Sequence, residues 1–263
     1  MKRVAAVGFC CVDNYANLDR HYPTGNGVDC VINMSKKGVD TTVVSVVGTD
    51  RYGDEMFEAL KTYGVDASHL QRREGDTSFM VMNLNGNDRV HVKNILGVME
   101  DFTLSPEDIA FIKTYDYIHT DYDGRIFHLL PELQAAGCEV IFDCSTKFDK
   151  REDTRSILEH VDYAFLSYDK KDDYILDFLK KAQSWGPKVV VSTLGENGSI
   201  AYDGSRYYEQ PAIPVEKVVN TVGAGDAFCC GFMTGILQGK DIPRCLLMGT
   251  MTSHDIIQMF NPY

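Results

Sequence analysis

The chain has 263 residues, 44% of them hydrophobic and 24% charged, and a formal net charge of -12. That balance excludes a disordered chain, and the surplus of acid excludes nucleic-acid backbone and anionic membrane as main partners, because both would repel it. A phosphorylated ligand would therefore need a local trap such as oriented backbone N–H groups.

The opening MKRVAAVGFCCVD has the basic start and apolar run of a secretory signal, yet no cleavage pattern follows Asp13, so a buried first strand over 4–9 is expected instead. A helix running from Val28 should end at Gly38, and one over 53–63 at Gly64, each glycine taking the left-handed position that closes a helix. Between them the β-branched run 41–48 reads as a strand. The segment 77–96 breaks the pattern: two β-type runs flank Asn85-Gly86-Asn87-Asp88, which is a hairpin signal and suggests either an extra edge or a lid. Ser105-Pro106-Glu107-Asp108 is a helix start, with a capping hydroxyl, proline in the first turn and acids at the positive end of the dipole. Strands follow at 115–120, 139–144, 163–167 and 188–193, and a second two-stranded piece at 199–210 turns on Asp203-Gly204. Strands alternating with amphipathic runs predict an α/β doubly wound, mostly parallel sheet flanked by helices. No linker or repeat divides the chain, so one domain over 1–263 is expected, with a small β lid formed by about 77–96 plus the segment about 10–25.

Eight cysteines lie at 10, 11, 30, 138, 144, 229, 230 and 245, with no C-x-x-C pair and no histidine at ligand spacing. Zinc is therefore not expected; reduced, buried thiols in a cytoplasmic protein are, and no metal-ligating residue is assigned.

The most informative stretch is NTVGAGDAF at 220–228. After Gly225 the residues Ala227, Phe228, Phe232, Ile236 and Leu237 form one helical stripe, with Gly239 and Pro243 as stop signals. Gly223, Ala224 and Gly225 thus form a turn that feeds a helix, and the unpaired N–H groups there make an anion site. Asp226 in the first turn would stay ionised. It either caps the helix or accepts the proton of a hydroxyl that attacks a nucleotide's terminal phosphoryl group. Dinucleotide-binding, Walker and protein-kinase patterns are all absent.

Those residues resemble the C-terminal signature of the ribokinase-like (PfkB-type) carbohydrate kinases, and the likeness spans nearly the whole chain. Gly8 and Asp13, Thr24-Gly25-Asn26, Gly48-Thr-Asp50-Arg-Tyr-Gly53 and Thr193-Leu-Gly195-Glu-Asn-Gly198 are similar to further family motifs. The resemblance implies a ribokinase-like fold and an ATP-dependent kinase acting on a primary hydroxyl of a sugar or fructosamine. It makes Asp226 the base and the turn Gly223 to Gly225 the anion hole. Asp13, Gly25, Asn26 and Asp29 become substrate contacts, although Asp13 could serve only a turn and Gly25-Asn26 only a loop. Arg89 either closes over the substrate or sits on an exposed strand. Thr193, Gly195 and Gly198 would meet the nucleotide, and Lys147 would meet phosphate or stay solvated. ATP and Mg2+ are the implied cofactors. K+ stays open, because Asn220 stands where the family usually has Asp, and the family's N-x-x-E near magnesium is replaced within 167–173. A homodimer through the lid is expected. A nucleoside or other small-sugar kinase, and a non-catalytic sugar or nucleotide sensor, are the alternatives.

Overall fold

The structure is a computed structural model that describes residues 2–85 and 88–263. The turn at 86–87 and the side chain of Arg89 lie outside the described residues.

The chain forms a nine-stranded sheet and a separate four-stranded one. The large sheet contains β1 (Arg3–Val7), β4 (Asp40–Gly48), β5 (Leu70–Arg73), β8 (Tyr117–Asp121), β9 (Glu139–Ser145), β10 (Tyr163–Ser167), β11 (Val189–Thr193), β12 (Ser199–Tyr202) and β13 (Tyr207–Gln210). Their spatial order is β13-β12-β11-β10-β9-β8-β1-β4-β5, parallel except for the last hairpin at one edge. Central strands are buried on both faces, which is why β4 reads as an unbroken β-branched run. Alternate residues divide the core. Ala5, Val7, Val44 and Val46 face α3 (Pro106–Ile112), α4 (Leu130–Ala135), α5 (Thr154–Leu158) and α6 (Asp173–Gln183). Val4, Ala6, Val43 and Val47 face α1 (Asn26–Ser35), α2 (Arg51–Thr62), α7 (Ala224–Leu237) and α8 (Ile242–Ile256).

Start and stop chemistry behaves as the sequence suggests at several ends. Ser105 and Asp108 form a reciprocal capping box on α3, and Gly38 and Gly64 adopt φ of 82° and 70° after α1 and α2. α2 begins two residues before the expected Gly53, because Asp50 accepts from the Gly53 N–H and caps it. α7 is buried on nearly all sides and lies close to α8. A β-carbon on Gly231 would overlap the Met248 carbonyl, so only glycine allows that approach.

The second sheet orders β3 (Arg20–Thr24), β2 (Cys11–Tyr15), β6 (Phe79–Asn85) and β7 (Asp88–Ile95). It has a small core of its own, Tyr15, Tyr22, Met82 and Val222, closed by Phe260. The expected lid is therefore a sheet of two hairpins. Asp13 accordingly sits on β2 within the lid and not at the carboxyl end of β1, and β1 itself stops at Val7.

Candidate active site

Two clefts meet at the N-terminal tip of α7. The larger, about 440 Å³, lies over the carboxyl ends of β1, β8 and β9 and beneath the lid. Open α/β sheets place their ligands at this edge. The smaller, about 150 Å³, is lined by Thr193, Gly195, Gly198, Ala212, Ile213, Phe228, Thr250, His254 and Ile257 together with Ala224 and Gly225. Gly223 and Asp226 line the larger one, so a single turn of backbone forms the wall between them.

That turn is built by Gly223, whose φ of 73° is left-handed and whose α-carbon lies against Pro262. Asp226 is the third helical residue and half-buried, and the cap position is held by Gly223, which has no side chain to offer. Of the three turn amides, Ala224 donates to the Thr221 carbonyl at 3.3 Å. Among the described residues no backbone acceptor is paired with the N–H groups of Gly223 and Gly225, and the space in front of Gly225 is open to 4 Å. Two donors at a positive helix end make an anion site.

The larger cleft brings together Asp13, Gly25, Asn26, Asp29, Lys147 and Asp226, all expected from sequence, with Phe9, Cys11, Met80, Asn94, Asp121 and Asp123, which were not. Lys147, expected to meet phosphate or stay solvated, lines this cleft and pairs with Asp123 at 2.8 Å. Gly25 has φ of 149°, and a β-carbon there would overlap the Phe9 carbonyl, which sets α1 tightly against the chain leaving β1. Asn26 donates to Asp143 at 3.0 Å, and the buried Asp29 accepts from Thr24 Oγ1 at 2.6 Å. The lid supplies one row across its strands: Asp13 registers with Met80, and Met80 with Asn94.

Six carboxyl groups thus line one cavity, against one lysine. Two of them are neighbours by strand register, since Asp121 on β8 pairs with Asp143 on β9. Burial, followed by the charges of Asp123 and Asp143, pushes Asp121 up to about 7. Burial pushes Asp143 up to about 6, against the bonds that it accepts from Ser145 N–H at 2.7 Å and from Asn26. A carboxyl raised in the folded state keeps its proton to higher pH than in the unfolded chain, so stability present near pH 4 is lost as the pH rises towards 7. Asp121→Asn, which can still accept from the Asp123 N–H, should remove that slope. Its melting temperature relative to the parent should rise between pH 5 and pH 8, by roughly 3–6 °C for a chain of this size. Thermal melts at the two pH values check this, and a gap that does not grow would show that the pair is ordinarily ionised.

The pattern of the pfkB family carbohydrate kinases matches residues 3–261. The chain is 36% identical to fructoselysine 6-kinase of Escherichia coli over 258 residues, 98% of each chain. It is 30% identical to a fructosamine kinase of Bacillus subtilis, over 95% of this chain and 89% of the relative. Its fold is that of Arabidopsis thaliana ribokinase solved with ribose and ATP, at a TM-score of 0.81 and 20% identity, covering 99% of this chain and 93% of the other. The chain belongs to the pfkB family of carbohydrate kinases and is an ATP-dependent sugar kinase.

Proposed function

We propose that this kinase phosphorylates the primary hydroxyl of a fructosamine that carries a cationic group, fructoselysine being the best fit. The observation that carries this reading is the acidic cavity. Six carboxyl groups around a site for a neutral sugar would be costly to hold together, whereas an ammonium-bearing sugar offsets their repulsion and is drawn in by their field. The similarity to fructoselysine 6-kinase and to a fructosamine kinase supports the same reading.

In the proposed reaction Asp226 takes the proton of the attacking hydroxyl, and the N–H groups of Gly223 and Gly225 stabilise charge developing on the transferred phosphoryl group. The adenine lies in the smaller cleft, against Ile213, Phe228 and Ile257. The lid row from Asp13 to Asn94 covers the acceptor and excludes water. The carboxylate-rich donor set fits Mg2+, a hard cation that takes oxygen ligands and retains water, and Asp143 is one of the groups that would hold it. When bound, Mg2+ neutralises phosphate charge.

A panel of fructoselysine, other fructosamines, simple ketoses, ribose and nucleosides, followed by coupled ADP release, tests the acceptor. Fructoselysine should exceed fructose in kcat/KM by roughly 10–100-fold, the worth of one charged hydrogen bond. Preference for a nucleoside or for an uncharged ketose would overturn the reading.

Asn220 bears on potassium. Its amide nitrogen donates to the Phe260 carbonyl at 3.0 Å and to Tyr15 Oη at 3.2 Å, while its oxygen accepts from the Val222 N–H at 3.1 Å. An amide thus ties together the loop before α7, the lid and the chain end. Turnover in K+, Na+ or tetramethylammonium chloride should agree within about twofold, and a tenfold stimulation by K+ would count against this role.

Dimerisation through the lid is part of the same proposal. β7 is the outer strand of its sheet, and Val90 and Val92 are exposed on it, an edge that invites pairing with a second copy. Sedimentation should find a dimer that Val92→Lys turns into a monomer.

A further inference from the structure

One cluster in the molecule belongs to neither cleft. His119 on β8 points to the same face of the sheet as Tyr117, which packs with α1 and α7, and both its ring nitrogens lack a hydrogen-bond partner although the residue is 1% exposed. Its sheet neighbours are Ala6 and Ile141, so nothing polar lies beside it in register. Cys30 on α1 and Cys229 on α7 approach from the other side. One nitrogen of His119 and the two thiol sulfurs all lie within 4.8 Å of one another, and all three residues are buried. An imidazole left unsatisfied in an apolar core is costly, and nothing in the kinase reaction uses it.

We propose that Cys30, His119 and Cys229 form a binding site for a thiophilic cation, Zn2+, which fastens α1, β8 and α7 together beneath the acceptor cavity. Two sulfurs and one imidazole are a zinc-type donor set. Bond lengths of about 2.3 and 2.0 Å place such ligand atoms roughly 3.5 Å apart, so the trio needs to close by only about 1 Å. On binding, each thiol releases its proton to solvent. Two thiolates, a neutral imidazole and Zn2+ then carry no net charge, which suits a dry site. Beside His119 a cavity of about 10 Å³, lined also by Gly27 and Thr120, is about the size of one water molecule and shares Phe9 and Asp121 with the acceptor cleft. The elements fastened are those that carry the chemistry. Cys229 is one helical turn past Asp226, Cys30 follows Asp29, and His119 precedes Asp121 by two residues on the same strand face.

The test is titration of the chelator-stripped full chain with Co2+ as a spectroscopic probe, then with Zn2+ in thermal melts. One equivalent of Co2+ should produce a thiolate-to-cobalt charge-transfer band. Zn2+ in hundredfold excess over its dissociation constant should raise the melting temperature by roughly 5–10 °C. Both responses should vanish in Cys30→Ser and in Cys229→Ser, weaken in His119→Asn, and persist in Cys138→Ser. Absence of the band in the parent protein overturns the proposal whether or not any variant folds, and so does a band that survives in both cysteine variants with native circular dichroism.

Discussion

Asp226→Asn should lower kcat by about 10²–10⁴ while leaving nucleotide affinity and melting temperature close to those of the parent. The separation of effects follows from where the residue stands. The cap position is held by Gly223, and an asparagine amide oxygen can still accept a hydrogen bond from the backbone N–H groups of the first turn. Loss of a negative charge in the first turn costs at most about 1 kcal/mol at a partly exposed position. What the amide cannot do is take a proton from an alcohol at neutral pH. Steady-state kinetics with the acceptor identified by the panel, paired with ATP binding by calorimetry, checks both halves. A variant that keeps near-normal turnover would remove Asp226 from the base role. One that loses turnover and unfolds would be read instead through Asp226→Glu, which retains a carboxylate but displaces it.

Gly223→Ala should damage both turnover and stability. Its left-handed φ costs an alanine roughly 1 kcal/mol. More seriously, the new carbon would overlap Pro262, whose carbonyl also accepts from Asn33 of α1 at 3.0 Å. Either the tip of α7 or the chain end must move, and both displace the N–H groups of Gly223 and Gly225. Loss of one such donor costs about 10²–10³ in kcat, so a fall of that order is expected, together with a melting temperature several degrees lower. Gly225→Ala is the matched control, because no atom lies within 4 Å of its added carbon. It should melt like the parent yet bind ATP more weakly, since its methyl fills the space that an anion needs.

Much of this was readable before any coordinates. The glycine turn before an acid, the capping box of α3, the glycines closing α1 and α2, and the β-branched strands of the large sheet are local signals, each set by a few neighbouring residues. The parts that escaped are those that local signals do not encode. The segment about 10–25 was expected in the lid, but not its division into β2 and β3, because CVDNY and RHYPT hold many polar residues and are kept as strands by the lid core of Tyr15, Tyr22 and Met82. Gly239 follows the end of α7 with a left-handed φ of 68°, but Pro243, expected as a stop signal, instead opens α8 behind Asp241, which accepts from the Arg244 N–H. Asp121 and Asp123 carry no motif. Asp121 enters the site through the register of β8 on β9, a fact of pairing and not of spacing. Cys30, His119 and Cys229 span almost two hundred positions, so a search for ligands at short separations passes over them.

The wall between the two clefts has a consequence for how such enzymes diversify. Because the proposed base and the phosphate-binding amides ride on the same helical turn, the distance between them is set by covalent geometry and is indifferent to whatever covers the acceptor. Lid residues that line the larger cleft, such as Met80 and Asn94, can therefore be exchanged without retuning the turn. A designer wishing to redirect this protein to a different alcohol should randomise the cover and leave the turn alone.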